Sequence, residues 1–269
     1  MVGDLASIAQ TRKLAEQVNA LGPIDAVIHN AGIGYPEAPR ADTEDCLPPV
    51  FAVNVLAPYI LTALIERPKR LVYLSSGMHC GATTNLDDLA GRRRSRHAGG
   101  VYAESKLHDV LLAFGVARRW PGVLANALEP GWVATRMGGP SAPDDLDQAH
   151  RTQVWLAVSD DKGAQTTGEY FFFHMRPHQP NPAVYDVELQ DRLTRPARRC
   201  PASRRRSSAS RLAGTIRFHR GFVIPAAAEF DGRKRRLPAI GRRRLPPARL
   251  TQIGRSLYGK LVNLRSGYA

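Results

Sequence analysis

Tyr102-Ala103-Glu104-Ser105-Lys106 is the stretch around which this chain is organised. On a helix, side chains four residues apart lie on one face, so the Tyr102 hydroxyl and the Lys106 ammonium can reach one site. A neighbouring cation favours the phenolate form of a tyrosine, which lets its hydroxyl exchange protons near neutral pH. Such a tyrosine can serve as acid or base when a hydride moves to or from an alcohol carbon. Tyrosine and lysine at this spacing are also common on exposed helices, so both interpretations stay open here.

Three apolar segments around this helix have the pattern of buried strands that end in turns or hydroxyl side chains. They are IDAVIHNAG at residues 24–32, LVYLSSG at residues 71–77, and VLANAL at residues 123–128, which runs into PGWVAT. Strands that alternate with helical segments are typical of a parallel sheet. The chain is therefore expected to have an α/β fold.

In their order along the chain, these elements resemble the short-chain dehydrogenase/reductase family. The shared features are NAG at residues 30–32, Asn54 in the next helix, SS at 75–76, YxxxK at 102–106 and PGxxxT at 130–135. Five matches in the right order are far more specific than any single one. The resemblance spans residues 4 to about 193. The ending TGEYF at residues 167–171 is similar to the retinol-dehydrogenase-like branch, and the implied fold is a Rossmann-like doubly wound parallel sheet.

The resemblance implies an oxidoreductase that transfers a hydride between a nicotinamide and an alcohol or carbonyl carbon. Tyr102 would be the general acid/base, Lys106 would assist it, and Ser76 would orient the substrate oxygen, with Ser75 as second choice. Asn54 would support a proton relay through water. Asn54 could equally bond the main chain of a neighbouring strand, and the two roles are compatible. The long insert between Ser76 and Tyr102 is similar to that of family members that act on bulky apolar carbonyl compounds.

The resemblance also implies a set of residues that bind the cofactor, NAD or NADP. The acidic turn near the start would face the adenine, Lys106 would bond the ribose, and the Pro-Gly turn would bond the nicotinamide carboxamide. The full set is Asp4, Leu5, Asn30, Ala31, Gly32, Tyr102, Lys106, Pro130, Gly131, Val133 and Thr135. Asp4 could also be an ordinary N-cap of the helix that follows, since aspartate is a preferred capping residue.

A dinucleotide-binding fold normally begins with a strand and a glycine-rich turn that holds the pyrophosphate. The sequence contains neither GxGxxG nor the family's GxxxGxG. Residues 1–194 are therefore expected to form an N-terminally incomplete Rossmann-like domain, with the 24–32 strand as an exposed sheet edge. The alternative interpretation is an inactive dehydrogenase fragment with a polyanion-binding basic tail.

The net charge of +14 is concentrated at one end of the chain. Residues 195–269 hold 20 Lys+Arg and 2 Asp+Glu, whereas the first 194 residues hold 18 and 22. This tail is expected to be of low order. It could be disordered and solvated, bind nucleic acid through phosphate contacts, or be translated out of frame. Because it lacks a known nucleic-acid-binding pattern, we favour the out-of-frame interpretation, with disorder next.

The remaining patterns bear on metals, membranes and partners. Three cysteines without close spacing indicate neither a disulfide framework nor a zinc site. His174 and His178 are four apart, but Pro177 and Pro180 argue against a helix there, so no metal site is predicted. No secretory pattern or run long enough for a membrane span occurs, which predicts a cytoplasmic protein. The expected partner is a small alcohol or carbonyl compound, and the resemblance allows a homodimer.

Overall fold

The computed structural model describes residues 1–34, 41–88 and 98–194, so the basic tail lies outside the described residues. Their strands form one sheet in the order β1-β2-β3-β4-β5. The strands are β1 (Ala26–His29), β2 (Arg70–Leu74), β3 (Leu124–Leu128), β4 (Tyr170–Phe172) and β5 (Arg176–Pro177). The first four pair in parallel, and β5 pairs antiparallel with β4. The predicted Rossmann-like parallel sheet is confirmed.

Helices connect the strands and cover both faces of the sheet. They are α1 (Ile8–Asn19), α2 (Pro49–Phe51), α3 (Ala57–Leu64), α4 (Ala98–Arg119), α5 (Leu146–Ala149), α6 (Arg151–Val158) and α7 (Val187–Thr194). A π-helical turn (Ala52–Leu56) joins α2 to α3. Short 3-10 turns occupy Gly77–Gly81, Leu86–Asp88, Lys162–Ala164 and Pro182–Tyr185. Among the described residues, no helix is both long and apolar enough to cross a membrane.

The strand β2, which pairs with a neighbour on each side, explains the three-layer arrangement. Leu71 and Tyr73 point to one face, where they join a core built largely by α3 and α4. Val72 and Leu74 point to the opposite face, where they pack with Leu156 of α6. A parallel strand buried on both faces needs a nearly continuous apolar run, which is what this segment has. The sheet therefore lies between two helical layers.

The long helix α4 carries the YxxxK stretch and is anchored along its length. Leu107, Val110 and Leu111 are fully buried against the sheet, as the predicted apolar stripe requires. At its far end, Arg118 Nε donates to Gln190 Oε1 of α7 at 3.0 Å. The packing of α4 on the sheet and its bond to α7 position Tyr102 and Lys106 relative to the strand ends.

The sequence of residues 43–65 by itself predicts one long helix, but the helical segment begins later. Thr43 N donates to Leu47 O at 2.9 Å, and Cys46 adopts a positive φ of 57°, so this part forms a turn. The helical segment begins at Pro49, in the first turn, where the missing N–H of proline carries no cost. A proline at N1 thus overrode the apolar periodicity that suggested an earlier start.

Other boundaries also differ from the sequence expectations. The apolar and aromatic run at residues 166–173 predicts a last strand of that length, but only β4 is regular, because Thr167 Oγ1 instead accepts from Ala125 N of β3 at 3.1 Å. The sequence of residues 146–158 predicts one helix, which the structure splits into α5 and α6 at His150. Ser7, not Asp4, caps α1, since the Ser7 hydroxyl accepts from Gln10 N.

Candidate active site

The pair Tyr102 and Lys106 lies on one face of α4, at the ends of β1 and β2. Tyr102 is partly exposed, whereas Lys106 is 5% exposed. The Lys106 ammonium lies 5.8 Å from the centre of the Tyr102 ring. The structure therefore brings together the phenol and the cation that the sequence paired.

Lys106 is held in place by two bonds, one of which the sequence reasoning missed. Its Nζ donates to Leu74 O at the end of β2 at 2.8 Å and to Asp109 Oδ2 at 3.0 Å. Burial works to lower the pKa of Lys106, but the charges of Asp109 and Tyr102 outweigh it and raise that pKa above its usual value. Burial raises the pKa of Asp109 to about 6, against the opposing effect of Lys106. A carboxylate three residues after the lysine was the signal available in the sequence.

The two serines after β2 have different surroundings. Ser75 is buried, and its hydroxyl donates to Lys106 O at 2.8 Å, so it ties β2 to α4. Ser76 is partly exposed, and its Oγ accepts a long bond of 3.3 Å from Met78 N. Of the two, Ser76 has the more exposed hydroxyl, and its role in orienting the substrate stays a prediction.

Asn54 is fully buried and joins three elements. Its Oδ1 accepts from Ile33 N at 2.9 Å, and its Nδ2 donates to Ile33 O at 3.1 Å and to Ser105 Oγ at 3.1 Å. It thereby fastens the turn after β1 to α4. We call Asn54, Lys106 and Asp109 the buried floor of the site.

The backbone around Asn54 departs from an α-helix. Pro58 has no N–H and cannot donate to the carbonyl of Asn54 four residues earlier. The helix widens instead into a π turn, in which Ala57 N donates to Ala52 O. Single π turns inside helices are frequent at functional sites. The carbonyl of Asn54 is thus left without the partner an α-helix would supply.

The turn after β1 lies directly against the buried floor. Asn30 N donates to Ile28 O at 3.1 Å at the end of the strand, and Ala31 and Gly32 follow. A Cβ added at Gly32 would lie 3.4 Å from Lys106 Nζ and 3.5 Å from Asn54 Oδ1. These are ordinary contact distances, so the Gly32 backbone lies close to both side chains of the floor.

The Pro130-Gly131 turn follows β3 and begins a loop whose hydrogen bonds are formed largely within the loop. Gly131 has a φ of 82°, and a Cβ there would lie 3.0 Å from Asp144 Oδ2, so glycine is required. Val133 bridges to Asp144. The Thr135 hydroxyl donates a long bond of 3.4 Å to Val133 O and accepts from Gly138 N at 3.1 Å.

The two residues expected near the adenine lie at the start of α1. Asp4 Oδ1 accepts from Ala6 N at 2.9 Å, which closes a local turn. Leu5 packs at the edge of a cluster formed by α1 and α3. The hydrogen bonds of these residues are local to α1, unlike those of the buried floor.

Comparison with known proteins places the chain in a family. A family model described as short chain dehydrogenase matches residues 1–146. An uncharacterised oxidoreductase of Emericella nidulans is 43% identical over 198 residues, which cover 72% of this chain and 75% of the relative. This chain belongs to the short-chain dehydrogenase/reductase family. The cofactor of this oxidoreductase family is NAD or NADP.

Two further relatives support the family membership and the fold. Polyprenol dehydrogenase of Mus musculus is 35% identical over 219 residues, which cover 71% of this chain and 64% of the relative. A crystal structure of an uncharacterised protein from Mycobacterium paratuberculosis has a TM-score of 0.57 and 25% identity, covering 71% of this chain and 70% of that one. Assignment to the retinol-dehydrogenase-like branch stays a prediction.

One large apolar side chain lies beside the Tyr102 hydroxyl, and two more are exposed on the segments that follow β2 and β3. Met137 Sδ lies 3.8 Å from Tyr102 Oη. Trp132 is 57% exposed, and its indole N–H donates at 2.8 Å to the carbonyl of Gly138, the residue after Met137. Met78, 47% exposed, follows Ser76 in the chain and approaches Gly99 on α4. We call Met78, Trp132 and Met137 the apolar rim.

A buried histidine supports the segment that follows Ser76. Asn181 N donates to His79 Nε2 at 3.2 Å, so His79 Nδ1 carries the proton and donates to Ser76 O at 2.7 Å. Burial, with the nearby His178, lowers the pKa of His79 and keeps it neutral. Asn181 Nδ2 in turn donates to Ala82 O at 2.8 Å. The chain after β5 thus clamps the loop that carries Ser76.

Proposed function

We propose that this chain catalyses NAD(P)-dependent hydride transfer between the nicotinamide and the carbonyl or alcohol carbon of an apolar small molecule. The observation that carries the proposal is the convergence of Tyr102, Lys106 and Asn54 on the Gly32 turn. Lys106 Nζ lies 5.8 Å from the Tyr102 ring centre and close against Gly32. The family membership adds the reaction class.

The residues at the strand ends fit a dinucleotide. Lys106 would bond the ribose hydroxyls beside the Gly32 turn, whose backbone lies close to it. The nicotinamide carboxamide would bond to residues of the Pro-Gly turn, and the adenine would lie near the start of α1. The proposed cofactor-binding residues are Asp4, Leu5, Asn30, Ala31, Gly32, Tyr102, Lys106, Pro130, Gly131, Val133 and Thr135. When bound, the nicotinamide supplies or accepts the hydride.

In carbonyl reduction, each protein group would handle the substrate oxygen or its proton. The Ser76 hydroxyl would donate to the carbonyl oxygen and orient it. Tyr102 would transfer its phenolic proton to that oxygen as negative charge develops there. The Lys106 ammonium would stabilise the phenolate that results. The Asn54 carbonyl, which Pro58 cannot hydrogen-bond, would hold a water that returns a proton through Lys106.

The apolar rim supports a bulky apolar substrate. Methionine and tryptophan side chains offer soft, polarisable contacts that suit apolar or aromatic ligands. Met137 Sδ, 3.8 Å from Tyr102 Oη, stands where such a ligand would meet the hydroxyl. The mouse relative is named polyprenol dehydrogenase, which denotes an apolar alcohol.

The first test is cofactor binding by the full chain. NADPH and NADH are titrated separately and binding is followed by nicotinamide fluorescence, after which absorbance of the reduced cofactor reports turnover with a panel of apolar ketones. We expect saturable binding and turnover. Tyr102→Phe should keep the binding and lose turnover by about 10²- to 10⁴-fold, because it removes the proton donor. Failure of both cofactors to bind would overturn the proposal.

A further inference from the structure

The catalytic helix contains a buried ion pair that the proposed proton relay does not use. Lys106 Nζ and Asp109 Oδ2 are 3.0 Å apart, and their side chains are 6% and 4% exposed. An ammonium has three N–H donors. One bonds Leu74 O and another bonds Asp109. One N–H donor of Lys106 is therefore used by Asp109, and the carboxylate also offsets part of the charge that would act on Tyr102.

Two ionisable side chains, Lys106 and Tyr73, interact electrostatically with Asp109. From its own helix comes Lys106, and from β2 comes Tyr73, whose pKa is raised by burial and further by Asp109. The Tyr73 hydroxyl is 2.8 Å from Thr62 Oγ1, which is 3.1 Å from His29 Nε2. Burial lowers the pKa of His29 to about 4, so this imidazole is neutral near pH 7. The segments β3 and the π turn, which also pack on α4, contain no ionisable side chain.

The far end of α4 does not supply a second cation to this carboxylate. Arg118 and Arg119 both pair with Asp191 of α7, nine or more residues further along the helix. Lys106 is therefore the cation that the described residues place against Asp109. Any change in the charge of Asp109 acts first on Lys106.

We infer that Asp109 is a positioning residue that restrains Lys106 and offsets its charge, so that Tyr102 stays a proton donor and the site favours carbonyl reduction over alcohol oxidation. A lysine whose charge is balanced by a carboxylate stabilises a nearby phenolate less than a free lysine does. Reduction needs the neutral phenol, whereas oxidation needs the phenolate as base. This inference rests on the proposed function for the reaction, but not for the ion pair itself.

The proton on Asp109 adds a second control. Because burial raises the pKa of Asp109 to about 6, mildly acidic solution removes its charge. Lys106 is then released from the ion pair and acts on Tyr102 with its whole charge. The balance between the two reaction directions should therefore shift with the protonation of Asp109 as well as with that of the phenol.

The experiment compares the full chain with Asp109→Asn, which keeps the shape and removes the charge. The pH profile of carbonyl reduction is measured with NADPH, and Asp191→Asn on α7 is the matched control. We expect Asp109→Asn to move the alkaline limb of the profile down by about one pH unit, since an uncompensated cation lies near the phenol. Asp191→Asn should leave the limb in place. An unmoved limb in a folded Asp109→Asn protein would overturn the inference.

A second readout needs neither turnover nor a substitution at Asp109. In the unsubstituted chain, carbon-13 labels on the aspartate carboxyls and tyrosine rings are followed by NMR across the acidic range, with Tyr102→Phe identifying the Tyr102 signal. We expect a step in the Tyr102 signal at the midpoint at which a buried carboxyl titrates. A Tyr102 signal without such a step would reject the coupling. Loss of turnover in the unsubstituted chain would contradict the proposed function and leave this titration to decide on Asp109.

Discussion

The buried floor meets Tyr102 through Lys106 and the apolar rim meets it through Met137, yet the two regions differ in burial and hydrogen bonding. Asn54, Lys106 and Asp109 are at most 5% exposed, and each bonds to another part of the core. Trp132 and Met78, by contrast, are 57% and 47% exposed. The comparison indicates that changes in the floor alter stability and chemistry together. Changes in the rim should alter substrate choice alone.

The largest expected effect comes from breaking the floor at Lys106. Lys106→Met leaves the Asp109 carboxylate buried without its cation, which typically costs about 3–5 kcal/mol of unfolding free energy. Without Lys106, the pKa of Asp109 should rise further, so the folded chain binds a proton more tightly than the unfolded chain. The loss relative to the unsubstituted chain should therefore grow as pH rises above about 6, where Asp109 beside Lys106 loses its proton but Asp109 of the variant keeps it. Urea unfolding at several pH values measures it.

The matched control for this change removes both charges at once. Lys106→Met combined with Asp109→Leu should recover most of the lost stability, because no buried charge is left unpaired. Equal unfolding free energies for the single and the double variant would contradict the view that the ion pair belongs to the floor.

His29 of β1 should make the free energy of unfolding depend on pH in the opposite direction, so that stability falls on acidification. Burial lowers its pKa to about 4, whereas a histidine in an unfolded chain titrates near 6.5. Between these values the unfolded chain binds a proton that the folded chain does not, so stability is present above about 6.5 and is lost on acidification. The full difference corresponds to about 3 kcal/mol.

Replacing His29 tests this directly. The difference in unfolding free energy between the unsubstituted chain and His29→Gln should narrow by about 3 kcal/mol between roughly pH 7 and pH 4. The exposed His174→Gln serves as the control. A difference that stays constant across this range would show that His29 is not the group responsible.

A smaller loss of stability is expected at Asn54. Asn54→Ala removes three hydrogen bonds, two to Ile33 and one to Ser105. Leaving these buried groups unsatisfied should cost about 2 kcal/mol of unfolding free energy. Thermal unfolding measures the change, with the exposed Gln179→Ala as control. An equal melting temperature for both variants would place Asn54 outside the floor.

The smallest effect is expected at the rim. Met137→Ala removes the thioether beside the Tyr102 hydroxyl without disturbing a buried group. The KM for a bulky apolar ketone should rise roughly fivefold, about 1 kcal/mol of lost contact, while a small ketone and the melting temperature are unaffected. Steady-state kinetics with both ketones measures the two KM values. A comparable loss in melting temperature would erase the distinction between rim and floor.

Much of the site could be predicted from the sequence because its parts are local. The spacing of Tyr102 and Lys106 on a helix follows from 3.6 residues per turn, and α4 keeps it. The strands β1, β2 and β3 carry apolar runs that only a buried parallel sheet accommodates. The assignment of roles to the site residues stays a prediction until the variants are measured.

Other features could not be read from local patterns. The start of α2 at Pro49 and the turn at Cys46 depend on backbone bonds between residues 43 and 47. The shortness of β4 depends on Thr167 bonding the backbone of β3 instead of continuing the strand. The first outcome depends on a tight turn and the second on a partner 42 residues away, and apolar periodicity reports neither.

The sequence by itself determined the element types, the family motifs and the order in which Asn54, Ser76, Tyr102 and Lys106 follow one another. Only the tertiary structure decided that the Ser75 hydroxyl donates a hydrogen bond to the Lys106 carbonyl while Ser76 is partly exposed. It also decided that Asp109 is a buried partner of the lysine rather than a solvated helix residue. The physical reason is burial. A charge three residues from another has little effect in water, but between α4 and the sheet the lower effective dielectric strengthens the interaction.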